Sequence, residues 1–496
     1  MLRIRVIKTA SGASAVQVVY YRNRKRIIFK HIGSAKSSQE LETLKLVAQD
    51  LIKNSTSQIS LFEETKFDNL LYLDRSEFLG VYCTFLYEVI SSLISEIGLD
   101  KIKKQLLLDL VTIRLVEPAS KLRSIELLNS YFGIKHRRQN YYQSAPQWLD
   151  LKERIESMVV EFVRKNYSFN FDLLFYDVTT LYFETFEEDE LRKNGFSKDN
   201  KSQQPQILVA LMVTKDGFPI AYEIFCGNTF EGHTIIPVVN DFIRKQAVKD
   251  LTVVADAAMI STTNIQELLK NGLNYIVGAR LGNLPNELIE QIDRKIDRED
   301  KKSIRIKTDN GYLICQYSSV RYRKDKHEME MQIEKAKTII DSPSKNKKLK
   351  FIKSIGEKIE LNQALVEKST KLLGIKGYYT NLDETLTDNQ TIIDRYHELY
   401  KIEQAFRISK HDLQTRPIFH FKEEPIKLHI LICFMALVVS KHIELTTGDS
   451  IKKFITECKK VTDARLLNKM TNKELRIRTE FNDKIQKYLH VLNLSH

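Results

Sequence analysis

Leu173-Leu174-Phe175-Tyr176-Asp177 is an unbroken apolar and aromatic run that ends on a carboxylate. Such a run reads as a buried strand, and an ionised acid at its end needs a partner, because an unpaired charge is costly to bury. The same pattern returns in Leu251-Thr252-Val253-Val254-Ala255-Asp256. If the two strands are neighbours in one sheet, both acids face a single point, where like charges call for a cation. Taken singly, each has a plainer reading. Asp256 can cap the turn before the following helix, and Asp177 can accept a hydrogen bond from Thr179 or Thr180. The pair says more than either member.

Working outward, residues 171–183 form the first strand, and residues 207–213 and 218–225 form a hairpin around Lys215-Asp216-Gly217. A helix over 235–247, a buried strand over 251–254, a helix over 263–270 closed by Gly272, and a strand over 273–277 follow. Three antiparallel strands and then alternating helix and strand make an α/β protein with a mixed sheet flanked by helices. From Arg280 to about Lys371 the alternation breaks into short strands (303–317) and charged helices (324–340), which read as an insertion. It resumes with a strand over 377–381, a long helix over 388–412, and a helix from Pro425, preceded by Glu423 and Glu424, to about Leu445.

Ahead of this core, residues 1–37 alternate like a small antiparallel β element. Residues 38–167 carry helical periodicity, with segments near 39–53, 81–97, 101–115, 120–128 and 147–165, and read as a helical domain whose basic clusters suit either DNA binding or a plain solvated surface. The core then occupies 168–280 and 372–445 around the insertion 281–371, and 446–496 reads as a polar helical tail.

The third acid lies on the long helix. Steps of three and four align Tyr396, Tyr400, Glu403, Arg407 and Lys410 in one stripe beside an apolar stripe of Leu399, Ile402, Phe406 and Leu413. Alone, this helix would be an ordinary surface helix with a Glu403 to Arg407 ion pair. Joined with the two strand aspartates, Glu403 completes a set suited to two-metal phosphoryl transfer, and ligands that are all oxygen select Mg2+, with Mn2+ as the alternative.

Composition sets the frame. The 496 residues exceed one ordinary core, 43% are apolar, and only 17 are Gly and 9 Pro, which excludes disordered and collagen-like classes. Lys and Arg number 77 against 64 acids, a net charge of +13, which favours polyanionic partners. The excess gathers in clusters such as Arg22-Asn23-Arg24-Lys25-Arg26, Lys135-His136-Arg137-Arg138 and Lys345-Asn346-Lys347-Lys348. Five scattered cysteines without a C-x-x-C pair fit a reducing cytoplasm. The first residues lack the apolar stretch of a signal peptide, and the longest apolar run, residues 430–439, is half a membrane span.

At these residues the chain resembles bacterial insertion-sequence transposases of the DDE type, in the group with a Y-R-E-K signature. The resemblance rests on Tyr396, Glu403 and Lys410, on Tyr176-Asp177-Val178-Thr179-Thr180, and on Val254-Ala255-Asp256-Ala257. It extends to Gly227-Asn228-Thr229 with Glu231 and Thr234, to Gly377-Tyr378-Tyr379-Thr380-Asn381, and to Arg416-Pro417-Ile418-Phe419-His420. It implies an RNase H-like core, catalytic and metal-binding Asp177, Asp256 and Glu403, and a homodimer bridging two element ends on double-stranded DNA. It also implies that Tyr396 and Lys410 contact DNA phosphates. The Arg position of the signature is Leu399 here, and Arg407 is the candidate to replace it.

The expected function is a transposase that binds terminal inverted repeats, cleaves at the element ends and joins the 3′-hydroxyl to target DNA, in the bacterial cytoplasm and without a membrane role. Three alternatives stand beside it: a nuclease of the same fold without strand transfer, a catalytically silent DNA-binding regulator of transposase origin, and a cytosolic helical and sheet scaffold whose acidic positions are incidental.

Overall fold

The computed structural model describes residues 2–22, 25–55, 76–196, 203–248, 251–259, 261–309, 311–341, 350–355, 358–469 and 472–494. The basic cluster 345–348, and Asn23 and Arg24 of the cluster near the N-terminus, lie outside these residues. The chain divides into two compact units, one of Met1–Glu88, Ser130–Gly133 and Thr456–Lys487, the other of Val89–Asn129, Ile134–Ile455 and Tyr488–His496.

The larger unit is built on a mixed sheet of eight strands: β1 (Leu173–Tyr182), β2 (Gln206–Thr214), β3 (Pro219–Cys226), β4 (Thr252–Ala255), β5 (Asn274–Ala279), β6 (Ser303–Thr308), β7 (Gly311–Tyr317) and β8 (Ile375–Thr380). Their spatial order is β6-β7-β8-β5-β4-β1-β2-β3. β1, β4 and β5 run parallel to one another, and every other pairing in the sheet is antiparallel. The parallel centre follows from the helices between those strands, since a crossover is the connection that returns a chain in the same direction. β2 and β4 are buried at every position, as strands covered on both faces must be.

Four readings of the sequence change here. The hairpin over 303–317 is not set apart from the core: it extends the main sheet, with Leu313, Ile314 and Cys315 fully buried and paired through β8. The helix expected over 388–412 is broken into α4 (Asn389–His397) and α5 (Tyr400–Arg407). The helical segment expected from residue 81 starts later, because Ser76–Tyr82 is a strand. The tail is not purely helical, since Asp463–Asn468 and Lys473–Arg478 are strands.

Four further helices of the larger unit matter below: α1 (Gln105–Val116), α2 (Lys121–Phe132, which ends in the smaller unit), α3 (Ser319–Asp341) and α6 (Glu423–Thr447). Of the described helices, α6 alone is long and apolar enough to cross a membrane, yet 94% of its apolar window is buried inside the protein. It packs on α1 and β3, with the Phe434 ring 4.8 Å from that of Tyr222. Glu423 and Glu424 lie in its first turn, as the sequence indicates, and Gly448 at φ 73° follows its last. Each fully buried leucine or isoleucine on such a helix contributes about 1.5–3 kcal/mol.

In the smaller unit, the strands Arg3–Lys8, Ser14–Arg22 and Lys25–Ala35 form an antiparallel sheet over the helix Ser38–Ser55, around Val16, Val18, Ala35, Leu44 and Ala48. A second sheet orders Lys473–Arg478, Asp463–Asn468 and Ser76–Tyr82. Its Asp463 is fully buried and accepts two bonds from the Arg478 guanidinium, at 2.7 and 3.0 Å, while Arg478 also reaches Glu88 at 2.7 Å. Removing the arginine strands a buried charge, so Arg478→Met is expected to destabilise this unit by roughly 3–5 kcal/mol in urea denaturation. Adding Asp463→Leu should restore much of the loss. A single-variant change below about 1 kcal/mol would show that the pair is not buried as described.

Candidate active site

The register of the parallel strands brings the two aspartates together. Tyr176 pairs with Ala255 across β1 and β4, so Asp177 and Asp256, one residue further on, reach the same end of neighbouring strands. Neighbouring strands lie about 4.8 Å apart. Asp177 is partly buried and Asp256 exposed. One oxygen of each accepts the next backbone N–H, Val178 at 2.8 Å and Ala257 at 2.7 Å.

Alternation along β1 sends Tyr176 to the opposite face from Asp177. There its hydroxyl donates to Thr234 Oγ1 at 2.7 Å, and that hydroxyl donates to the Glu231 carbonyl at 2.6 Å. Thr234 and Glu231 of the outlying motif thus anchor the strand that carries the first acid. Gly227 is glycine for want of room, since a Cβ there would lie 2.0 Å from the Gln206 carbonyl oxygen. Asn381 is structural as well: it accepts from the Tyr275 N–H and donates to the Leu273 carbonyl, tying β8 to the start of β5.

The helix that bears the third acid is interrupted. α4 (Asn389–His397) packs on β4 and β5, and α5 (Tyr400–Arg407) packs on β1 and β2. The break at Glu398 and Leu399 separates what an unbroken helix would align. Tyr396 is 7% exposed and Tyr400 58%, while Glu403 and Arg407 are exposed and Lys410 lies half-buried in the wider turn Ile408–Asp412. Leu399 is buried at the junction, where an apolar side chain fits. The Glu403 to Arg407 ion pair allowed by the spacing does not form among the described residues.

Tyr396 is the link between helix and strands. Its hydroxyl donates to Asp256 Oδ1 at 3.1 Å and lies where a Cβ on Gly278 would be, 2.5 Å away. Burial, reinforced by Asp256, pushes its pKa far up, so it stays a proton donor. Beside it lies Lys376 of β8, its ammonium 4.7 Å from the centre of the Tyr396 ring. Burial and Arg321 lower the lysine pKa, and the carboxylates of Asp256 and Glu403 oppose that shift. Glu403 therefore lies within electrostatic reach of the residues around Asp256. The sequence reading missed Lys376 and Gly278; a lysine inside an apolar strand, next to the Gly377 motif, was the available signal.

A cleft of about 510 Å³ opens at Asp256 and runs between the ends of β5 and β8 and the helix α3. Arg280, Arg321, Lys350 and Lys376 line it, with Asp325 and Glu328 as its other acids. No three His, Cys, Asp or Glu side chains among the described residues are gathered tightly enough to enclose a metal ion. The structure thus brings Asp177 and Asp256 to the same end of adjacent strands and packs the Glu403 helix on β1, without a closed set of three ligands among the described residues.

Among solved structures, the chain is similar to piggyBac transposase, in the cryo-EM structure of its synaptic complex with hairpin DNA, at 12% identity, covering 83% of this chain and 74% of that one with a TM-score of 0.38. It is also similar to Mos1 transposase, in its paired-end complex with the left transposon end, at 11% identity, covering 49% and 68% with a TM-score of 0.16. No curated protein matches the chain. Residues 170–439 match the family described as the transposase DDE domain. Because that match runs through Asp177, Asp256 and Glu403 alike and takes in more than half of the residues, the chain belongs to the family of transposase DDE domains.

Proposed function

We propose that this protein is an active transposase that binds inverted repeats at element ends, cleaves there and joins the freed 3′-hydroxyl to target DNA. The observation that carries the reading is the parallel register of β1 and β4, which supports Asp177 and Asp256 at the same end of adjacent strands, with Asp256 lining a cleft that also bears Arg280, Arg321, Lys350 and Lys376. An open pair of hard oxygen ligands fits Mg2+, which is commonly held by one or two carboxylates with water and substrate phosphate completing its shell. Asp177 and Asp256 would hold the ion, Glu403 would join them once DNA is seated, and Mn2+ would substitute. Bound divalent ions supply charge neutralisation at the phosphodiester and activation of the attacking oxygen.

The chain's own residues do the rest. Tyr396 orients the Asp256 carboxylate through its hydrogen bond, and Lys376 moderates the negative charge between Asp256 and Glu403. Arg407 and Lys410, beyond Glu403 on the same helical path, are assigned to DNA phosphates, with Leu399 unable to serve. The wider reading is an RNase H-like core, a bacterial insertion-sequence origin with a modified Y-R-E-K signature, a homodimer bridging two ends, and residence on DNA in the cytoplasm.

Incubating the protein with a labelled element end, a target plasmid and Mg2+ tests the proposal. Products in which the labelled 3′ end is covalently joined to target are expected, and their loss with a chelator. Cut ends that never join would replace the transposase with the related nuclease. Binding without cutting in either metal would leave a DNA-binding regulator and sink the enzymatic reading.

A further inference from the structure

Away from the acidic cleft, two helices aim basic side chains, and a third a histidine, at one small cavity. Arg114 on α1 and Lys121 in the first turn of α2 are each only 4% exposed. Both nitrogens point at the same atom, Nδ1 of His429 on α6, and both are 3.2 Å from it. His429 Nε2 lies 2.9 Å from the Thr415 carbonyl oxygen, so that nitrogen carries the proton and Nδ1 offers a single lone pair. One lone pair cannot satisfy a guanidinium and a protonated lysine together, and burial, with Arg114 beside it, lowers the Lys121 pKa well below its ordinary value, a cost of charging that a bound anion would relieve. Among the described residues no carboxylate lies within ion-pair distance of either cation. Buried cations normally have such partners, and two without one are a costly arrangement unless an anion completes it.

The space for an anion is present. A cavity of about 40 Å³ is bounded by Arg114, Ser120, Lys121, His420 and His429, more room than one water needs. Gln414 and Pro417 on its rim are exposed, so it is open to solvent. Burial, with Lys121 and Arg114 beside it, pulls the His420 pKa down to about 4, leaving a neutral ring that adds no charge. The N-terminal end of the 12-residue α2 adds the positive end of its dipole. Ser120, Lys121, Phe419 and His420 also line a neighbouring cleft of about 320 Å³, walled by Tyr141, Tyr142 and Phe419 and containing one acid, Glu424. Neither space shares a residue with the cleft at Asp256.

We propose that the small cavity is a binding site for a phosphate group, with the remainder of the ligand in the aromatic cleft. Two cations match a doubly charged oxyanion better than a chloride ion, and the guanidinium fork suits paired oxygens. This assigns a ligand to His420 of the Arg416-Pro417-Ile418-Phe419-His420 motif, which the acidic site leaves unused. The phosphate can arrive free, on a mononucleotide, or within a DNA backbone.

Titration of the full chain with inorganic phosphate, read by thermal shift and calorimetry against chloride at matched ionic strength, tests this. Saturable stabilisation is expected for the native protein. Lys121→Met, of similar volume, should lose at least about tenfold in phosphate affinity and, without phosphate, melt no lower than the native chain. Arg123→Met, at an exposed position on the same helix, should bind phosphate normally. Displacement of bound phosphate by duplex DNA would identify the backbone as its source; displacement by a mononucleotide alone would identify a small ligand. A response no greater than that to chloride, or full binding by Lys121→Met, overturns the site. DNA joining assays are independent of this outcome.

Discussion

Asp177→Asn, Asp256→Asn and Glu403→Gln are each expected to reduce strand cleavage by about 10³-fold or more, while duplex binding changes by less than about threefold. The size follows from the chemistry: a carboxylate that helps hold a divalent ion underlies several kcal/mol of charge stabilisation in the transition state, and each 1.36 kcal/mol is tenfold in rate. Binding should survive because phosphate contacts come from basic residues, which these substitutions leave alone. The melting temperature supplies an independent readout. Asp177 and Asp256 stand on adjacent strands with like charges, so Asp177→Asn should melt at or above the native temperature without added metal, and the stabilisation given by Mn2+ should shrink. Glu398→Gln, on a half-buried acid paired with Lys401 only a few residues before Glu403, is the matched control and should cut normally. Retained cleavage in any acidic variant would remove that residue from the reaction. Normal cutting by Glu403→Gln with both aspartate variants dead would reduce α5 to a packing element.

The parts of this architecture that could be read from sequence are those where one local pattern has one physical outcome. An apolar run ending in aspartate, twice, gave the strands bearing Asp177 and Asp256, because a buried strand and its charged end leave few other arrangements. Helix α6 was legible from Pro425 and the acids Glu423 and Glu424 at its start. The hairpin β6 and β7 was read as part of an insertion because its charged neighbours broke the alternation; only the pairing of β7 with β8, a non-local contact, shows where it belongs. The break at Leu399 was equally invisible, since residues 388–412 keep helical periodicity throughout and carry neither Gly nor Pro. The interruption is tertiary in origin: Tyr396 turns inward to Asp256 while Tyr400 and Glu403 remain outside. Lys376 escaped notice for the same reason, as a lysine in an apolar strand gains meaning only from what faces it.

Gly278→Ala is expected to lower cleavage about 100-fold and stability by about 1–3 kcal/mol, although the side chain it adds is a single methyl group. Glycine is required at this position by close approach: the new Cβ would lie 2.5 Å from the Tyr396 hydroxyl oxygen and 3.2 Å from its ring carbon. Tyr378, 4.9 Å from Tyr396 between ring centres, and Lys376 over the same ring leave the tyrosine little freedom to slide sideways. It must lift away from the sheet instead, breaking the 3.1 Å bond that fixes Asp256. Tyr396→Phe alone removes that bond but no packing, so it should cost less in stability than Gly278→Ala and still slow cleavage. The informative protein is the double variant. Phenylalanine lacks the oxygen that the methyl group meets, so Gly278→Ala with Tyr396→Phe should recover at least about 1 kcal/mol relative to the sum of the single changes, measured as a coupling energy in urea denaturation. Cleavage by the double variant should match Tyr396→Phe alone, because both have lost the same orienting hydrogen bond and neither displaces the helix. Strict additivity would mean that Tyr396 does not lie over Gly278, and the positioning role assigned to it at Asp256 would fall with that contact.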